Sequence, residues 1–251
     1  MRLKLKDIKE SYVKEKVNSF QDVCRIFHND FDDIKLNNVV SYATRPMRSN
    51  EINGREHIFI SHEEAKDILT NNNILAYTKI GSNQYFVTEE CLKNKNLYII
   101  NPDGIRYMKK EIPDINIYTI YIHCGYYIRK ERTLGRSDIL AFDKRNDDES
   151  LDFDLAQEEN LYDLWIDNES DKEKDIIENI SRILFHIKKQ YDKDPNTLFL
   201  FVGRTGAGKD MYCNEVKNII NHTMHTDSEA IAKRDLELRK REIIESKLMK
   251  K

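Results

Sequence analysis

Glycine and proline are scarce in this chain, eight and four in 251 residues. That is too few for a collagen-like repeat or a linker-rich disordered protein. Its four cysteines, Cys24, Cys91, Cys124 and Cys213, form no Cys-x-x-Cys pair. A zinc site or a disulfide framework is therefore not expected, and reduced thiols in a cytoplasmic protein are. No apolar run approaches the roughly 18 residues that cross a bilayer, and the opening Met-Arg-Leu-Lys-Leu-Lys-Asp has no signal-peptide core; no membrane partner is expected. An excess of one charge is missing too, with 41 basic against 44 acidic residues, which points away from nucleic acid. What remains is 39% hydrophobic residues, enough for one large domain or a core with a small lobe.

Residues 1–37 read as an N-terminal helical segment without glycine or proline. Short strands follow at Val39–Tyr42 and His57–Ile60. Ser61 with Glu64 three residues on is a capping-box start for a helix. Ile74–Ile80 and Gln84–Val87 flank Gly81-Ser82-Asn83, a hairpin signal, so 41–90 reads as a small strand-rich lobe. Leu97–Ile100 and Ile115–Ile122 are nearly continuous apolar runs, as buried parallel strands are. A charged helical stretch covers 126–159, Leu161–Ile166 is another strand, and Asp171–Tyr191 an amphipathic helix ended by Asp194-Pro195-Asn196. Leu198–Val202, the most apolar run, leads into a glycine-rich turn and a helix, and 227–251 is a charged helix former. Alternating strands and helices predict an α/β fold with a parallel sheet flanked by helices.

The turn carries the chemistry. Gly203-Arg204-Thr205-Gly206-Ala207-Gly208-Lys209-Asp210 matches Gly-x-x-x-x-Gly-Lys, with Asp where Ser or Thr is usual. Glycines let backbone amides turn inward around phosphate oxygens, and the following helix offers its positive end. Lys209 is placed to reach the β- and γ-phosphates of ATP. Asp210 is either a magnesium ligand or a helix cap, and it can serve as both.

From Val39 onward the chain resembles guanylate kinase. Ser41-Tyr42-Ala43-Thr44-Arg45-Pro46-Met47-Arg48 resembles the family's acceptor-phosphate segment, Ser-x-x-x-Arg-x-x-Arg. Asn53–Ser61 resembles its next segment, with His57 where the family has Tyr, and Asn83-Gln84-Tyr85 its Asn-Tyr-Tyr. Arg132, Arg136 and Arg145 resemble its lid arginines, with Arg129 a competing member, and Leu164–Asn168 resembles the strand that ends near adenine. The resemblance covers about 38–190 and the phosphate loop. It implies a P-loop core, a monophosphate-binding lobe at 41–90 and an arginine-bearing lid at 126–159. The core region is then 38–193, completed by 194–226. It also implies ATP and a nucleoside monophosphate as substrates, with magnesium, in a monomer or homodimer. Ser41, Arg45, Arg48, His57, Tyr85 and Asn101 are the implied acceptor contacts. The residues agree in kind, since paired arginines suit a phosphate dianion, although exposed arginines also occur on any solvated face.

The resemblance has two departures. The family's guanine-reading Glu, Ser and Asp positions hold Ala76, Val87 and Asn101, and another strand-end Asp is Ile99. Guanine recognition needs a hydrogen-bond acceptor, so poor selectivity for GMP is expected. The phosphate loop also follows the segments that it precedes in the family. Either the chain is circularly permuted, which places Leu198–Val202 inside the sheet of 97–101 and 116–122, or 197–251 begins a second copy, Ser19–Cys24 being the remnant of a first loop. A nucleotide-binding regulatory or interaction module without kinase activity is the alternative function.

Overall fold

The computed structural model describes residues 22–23, 31, 33–49, 51–133 and 142–222. Cys24, Arg136, all of the first loop's proposed remnant except Asp22 and Val23, and the helix expected at 227–251 lie outside these residues. The described chain forms two four-stranded sheets. In order, β1 is Tyr42–Ala43, β2 Ile58–Phe59, α1 His62–Asn71, β3 Ile74–Ile80, β4 Asn83–Thr88, α2 Glu89–Leu92, β5 Leu97–Ile99 and α3 Pro102–Glu111. Then come β6 Ile117–His123, α4 Tyr126–Arg132, α5 Phe142–Glu158, β7 Leu164–Asp167, α6 Glu173–Tyr191, β8 Leu198–Val202 and α7 Lys209–His222.

The core sheet has the order β5-β8-β6-β7, with every pairing parallel. Strand β8 comes last in the chain yet sits between β5 and β6, with Leu200 opposite both Tyr98 and Thr119. All five of its residues are buried, which explains the unbroken apolar run: a strand covered on both faces has no polar side to present. Side chains still alternate by face. Phe199 and Phe201 join α6, α7 and the Phe31–Leu36 segment in one cluster. Leu198, Leu200 and Val202 join Tyr98, Ile105, Met108 and Phe153 in the other. On α6 the buried Ile177, Ile180, Ile183, Leu184 and Ile187 fall at helical spacing along one stripe. The end of α7 is tied to the chain ahead of the lobe: Leu36 N donates to Asn221 Oδ1 at 2.9 Å and Asn221 Nδ2 donates back to Leu36 O at 2.8 Å.

The second sheet, β2-β1-β4-β3, is the lobe. Its hairpin is the one the sequence predicts, with Gly81 at φ +61° in the turn, and Ser61 and Glu64 form the full capping box on α1. Several elements differ from expectation. The strand expected at 39–42 is the two residues Tyr42–Ala43 and the one expected at 57–60 is Ile58–Phe59, the stretch over which the two pair with each other. Strand β6 starts at Ile117, leaving Ile115 exposed. Helix α3 has no counterpart in the sequence reading, though its start was visible in Asn101-Pro102: Asn101 caps it and Pro102 opens it. No helix among the described residues is long and apolar enough to cross a membrane.

Burying five large apolar side chains of β8 is worth on the order of 10 kcal/mol, comparable to the whole net stability of a domain. Truncation after Lys193 is therefore expected to abolish cooperative thermal unfolding followed by circular dichroism. A cooperative fragment 1–193 would show that β5 and β6 close without β8.

Candidate functional site

The loop 203–208 leaves the carboxyl end of β8 and turns into α7. Two of its glycines stand at positive φ. Gly206 has φ +82°, and a Cβ there would stand 2.7 Å from the Arg129 carbonyl; Gly208 has φ +88°, with a Cβ 2.6 Å from Asn168 Nδ2. These contacts press the loop against the ends of β6 and β7, which carry α4 and Asn168. Beneath it lies a buried amide network. Asn168 Nδ2 donates to Ala207 O at 2.8 Å, Tyr212 Oη donates to Asn168 Oδ1 at 3.1 Å, and Asn179 Nδ2 reaches Tyr212 Oη and Asp167 O. A satisfied buried network of this kind holds the loop in one geometry before any ligand arrives.

Lys209 and Asp210 open α7, with their side chains 22% and 72% exposed and 3.9 Å apart. An exposed carboxylate beside a phosphate loop suits magnesium, a hard cation that takes one or two carboxylates and fills its shell with phosphate oxygens and water. Arg204 reaches Asp154 at 2.6 Å and Ser150 O on α5. A cavity of about 300 Å³ opens beside it, lined by Tyr121, Phe153, Trp165 and Arg129 among others.

The arginines of the lid region do not converge. Arg132 of α4 donates to Asp171 and to Asn168 O, while Arg145 of α5 pairs with Glu149 at 2.7 Å. Arg136 lies outside the described residues. Arg129, the competing member, is the one that meets the loop. It is 2% exposed and donates to Cys124 O, to Thr205 O at 3.2 Å and to Asn146 Oδ1 at 2.6 Å. Burial lowers its pKa, yet a guanidinium stays charged at any physiological pH. The same burial raises the thiol pKa of Cys124, against which Arg132 lies, so this cysteine is no thiolate nucleophile.

In the lobe, four of the predicted contacts do come together. Ser41 Oγ and His57 Nδ1 share a hydrogen bond at 2.9 Å, and the His57 ring packs edge-on against Tyr85. Arg45 lies over the Phe59 ring. Burial lowers the pKa of His57, with the Arg45 charge adding to the effect, so the ring is neutral at physiological pH. Glu51, unnoticed in the sequence, organises the arginines: Arg45 grips it with both nitrogens at 2.6 Å and Arg48 N donates to it at 2.8 Å. The Arg45 fork pulls its carboxyl down to about 2. Asn101 stands apart from this group. Its Nδ2 donates to Thr78 Oγ1 and its Oδ1 accepts from Gly104 N, while Ala76 and Val87 are buried in the core.

The sequence profile of the family described as "Guanylate kinase" matches residues 25–187, a stretch that ends before β8 and the phosphate loop. A guanylate kinase of Lactiplantibacillus plantarum is 27% identical over 128 residues, covering 48% of this chain and 61% of the relative. One from Blochmanniella floridana is 32% identical over 95 residues, covering 36% and 43%. The chain thus spans less than two thirds of the length of these curated relatives. A crystal structure of guanylate kinase from Anaplasma phagocytophilum aligns with a TM-score of 0.43 at 18% identity, covering 67% of this chain and 79% of that one.

A carboxyl held near 2 stabilises the fold above the ordinary value near 4.5 and loses that contribution as pH falls toward about 2. Glu51→Gln is therefore expected to cost about 1–2 kcal/mol at pH 6, with the gap to wild type closing as pH drops below 4.5. Urea unfolding at pH 6 and pH 3 measures both; an equal gap at the two values would remove the ion pair as its source.

Proposed function

Because the chain belongs to the guanylate kinase family, we propose that it moves the γ-phosphoryl group of ATP to a nucleoside or deoxynucleoside monophosphate. The observation that carries this reading is the glycine-turned loop at the end of a central parallel strand, opening onto the start of α7. Anions favour that position because unpaired amides and the helix dipole both face it.

The roles follow from placement. Loop amides 203–208 and Lys209 hold the donor phosphates. Ser41, Arg45, Arg48, His57 and Tyr85 hold the acceptor phosphate, Arg45 and Arg48 being charged donors and His57 a neutral one. Asp210 is the residue that would hold magnesium, which when bound offsets phosphoryl charge. Arg132, Arg136 and Arg145 are assigned to charge developing during transfer. Phosphoryl transfer asks mainly for alignment and charge stabilisation, so no general base is assigned. Asn101 is held by Thr78 and Gly104, and Ala76 and Val87 are apolar. The base is therefore read weakly, and the acceptor is GMP-like without strict choice of guanine.

Circular permutation accounts for the order of the chain. Strand β8 pairs within the same sheet as β5 and β6, and the end of α7 is clasped to Leu36, just ahead of Ser41. A permuted chain would be cut at that clasp and rejoined through Asp194-Pro195-Asn196. A second reading, a nucleotide-binding regulator without turnover, is favoured by the Glu51 carboxylate already held in the arginine fork.

ADP formation from ATP with magnesium, screened over GMP, dGMP, AMP, dAMP, CMP, UMP and dTMP, tests the kinase reading. Turnover with at least one acceptor supports it; ATP binding without turnover on any would leave the regulator. Lys209→Ala is expected to reduce turnover about 10²–10³-fold with an unchanged melting curve, and wild-type activity would dismiss the loop assignment. Arg45→Ala should raise the acceptor KM about 10–100-fold and leave the KM for ATP near its original value. Equal effects on both would place Arg45 elsewhere.

A further inference from the structure

Glu149 lies on α5 with its side chain 16% exposed. Its carboxylate takes donors from two directions. The phosphate loop supplies Thr205 N at 3.4 Å and Thr205 Oγ1 at 3.3 Å, and the same helix supplies Arg145 Nε at 2.7 Å. Arg129, from the other side, fastens the Thr205 carbonyl. Loop amides are the groups that turn toward phosphate oxygens, so this carboxylate stands on one of them as an anion would. It also holds the arginine that such an anion would call on.

We propose that Glu149 is an internal stand-in for a phosphate oxygen of the donor, and that it sets how much charge a ligand needs to occupy the loop. The proposal rests on the reading that this loop binds a nucleoside triphosphate. A carboxylate and a phosphate oxygen cannot share the Thr205 amide without strong like-charge repulsion. Entry of the triphosphate therefore moves Glu149 off Thr205, and the same side-chain rotation leaves Arg145 unpaired beside the newcomer. A ligand of low charge, such as inorganic phosphate, gains too little to displace the carboxylate, whereas a triphosphate gains both the amide and the arginine. Glu149 is a positioning residue that weakens every anion at the loop and weakens weakly charged ones most.

Calorimetric titration of the full chain with ATP, ADP and inorganic phosphate tests this, using Glu149→Gln, Arg145→Gln and the double variant. Glu149→Gln is expected to bind ATP about five- to tenfold tighter, the scale of one removed charge near a partly exposed site. It should also narrow the preference for ATP over inorganic phosphate. Arg145→Gln should cancel most of the gain, a non-additivity that a merely structural role would not produce. Glu149→Ala, judged by its melting curve, is expected to act in the same direction and serves if the Gln variant does not fold. Unchanged or weaker ATP binding in the folded variants, or a gain that persists without Arg145, overturns the proposal while the kinase reading stands. Wild-type protein that binds no ATP overturns both.

Discussion

The site exists because one strand is inserted into a sheet that precedes it in the chain. Strand β8 makes parallel ladders on both sides and buries every side chain it has. Its carboxyl end can therefore emerge in only one place, between the ends of β5 and β6. The loop that follows is then pressed on by its neighbours: Arg129 from α4 and Asn168 from just beyond β7 each take a loop carbonyl. The two glycines with positive φ stand where those neighbours leave no space for a side chain. Loop geometry here is a product of strand order.

Charge is handled by a second rule. Arg45 is paired with Glu51, Arg132 with Asp171, Arg145 with Glu149 and Arg204 with Asp154. Arg129 is the exception, its hydrogen bonds going to neutral oxygens. It is also the most buried of them. The arginines around the loop and in the lobe are thus electrically compensated by neighbouring carboxylates, and on the proposed function binding would be an exchange of one anion for another. The net cost or gain of such an exchange is small compared with either interaction alone, which allows selectivity to rest on ligand charge.

Much of this was legible in the residues. The apolar run 198–202 followed by Gly-x-x-x-x-Gly-Lys placed the loop between strand and helix, because both signals are local. The hairpin around Gly81 and the Ser61–Glu64 cap were legible for the same reason. Glu51 and Glu149 were not, although each had a trace: Glu51 stands three residues after Arg48, and Glu149 is one helical turn beyond Arg145. Charged residues near arginines are common on solvated faces, and nothing in the sequence says which pairs close on a functional loop. Helix α3 was missed because its Asn-Pro start also reads as a turn. The role of Asn168, which holds Ala207 across 39 residues of sequence, depends on tertiary contact and leaves no local pattern.

The late position of β8 has a consequence for how the protein is made. A nascent chain grows from its amino end at about 5–20 residues per second, and domains fold as their parts emerge. Here β5 and β6 leave the ribosome long before the strand that separates them, with roughly a hundred residues between Leu97 and Leu198. Until then each presents an unpaired edge, the feature through which strands of different chains recruit one another. The order of residues that places the phosphate loop correctly in the finished molecule thus gives the growing polypeptide a long interval without a closed core.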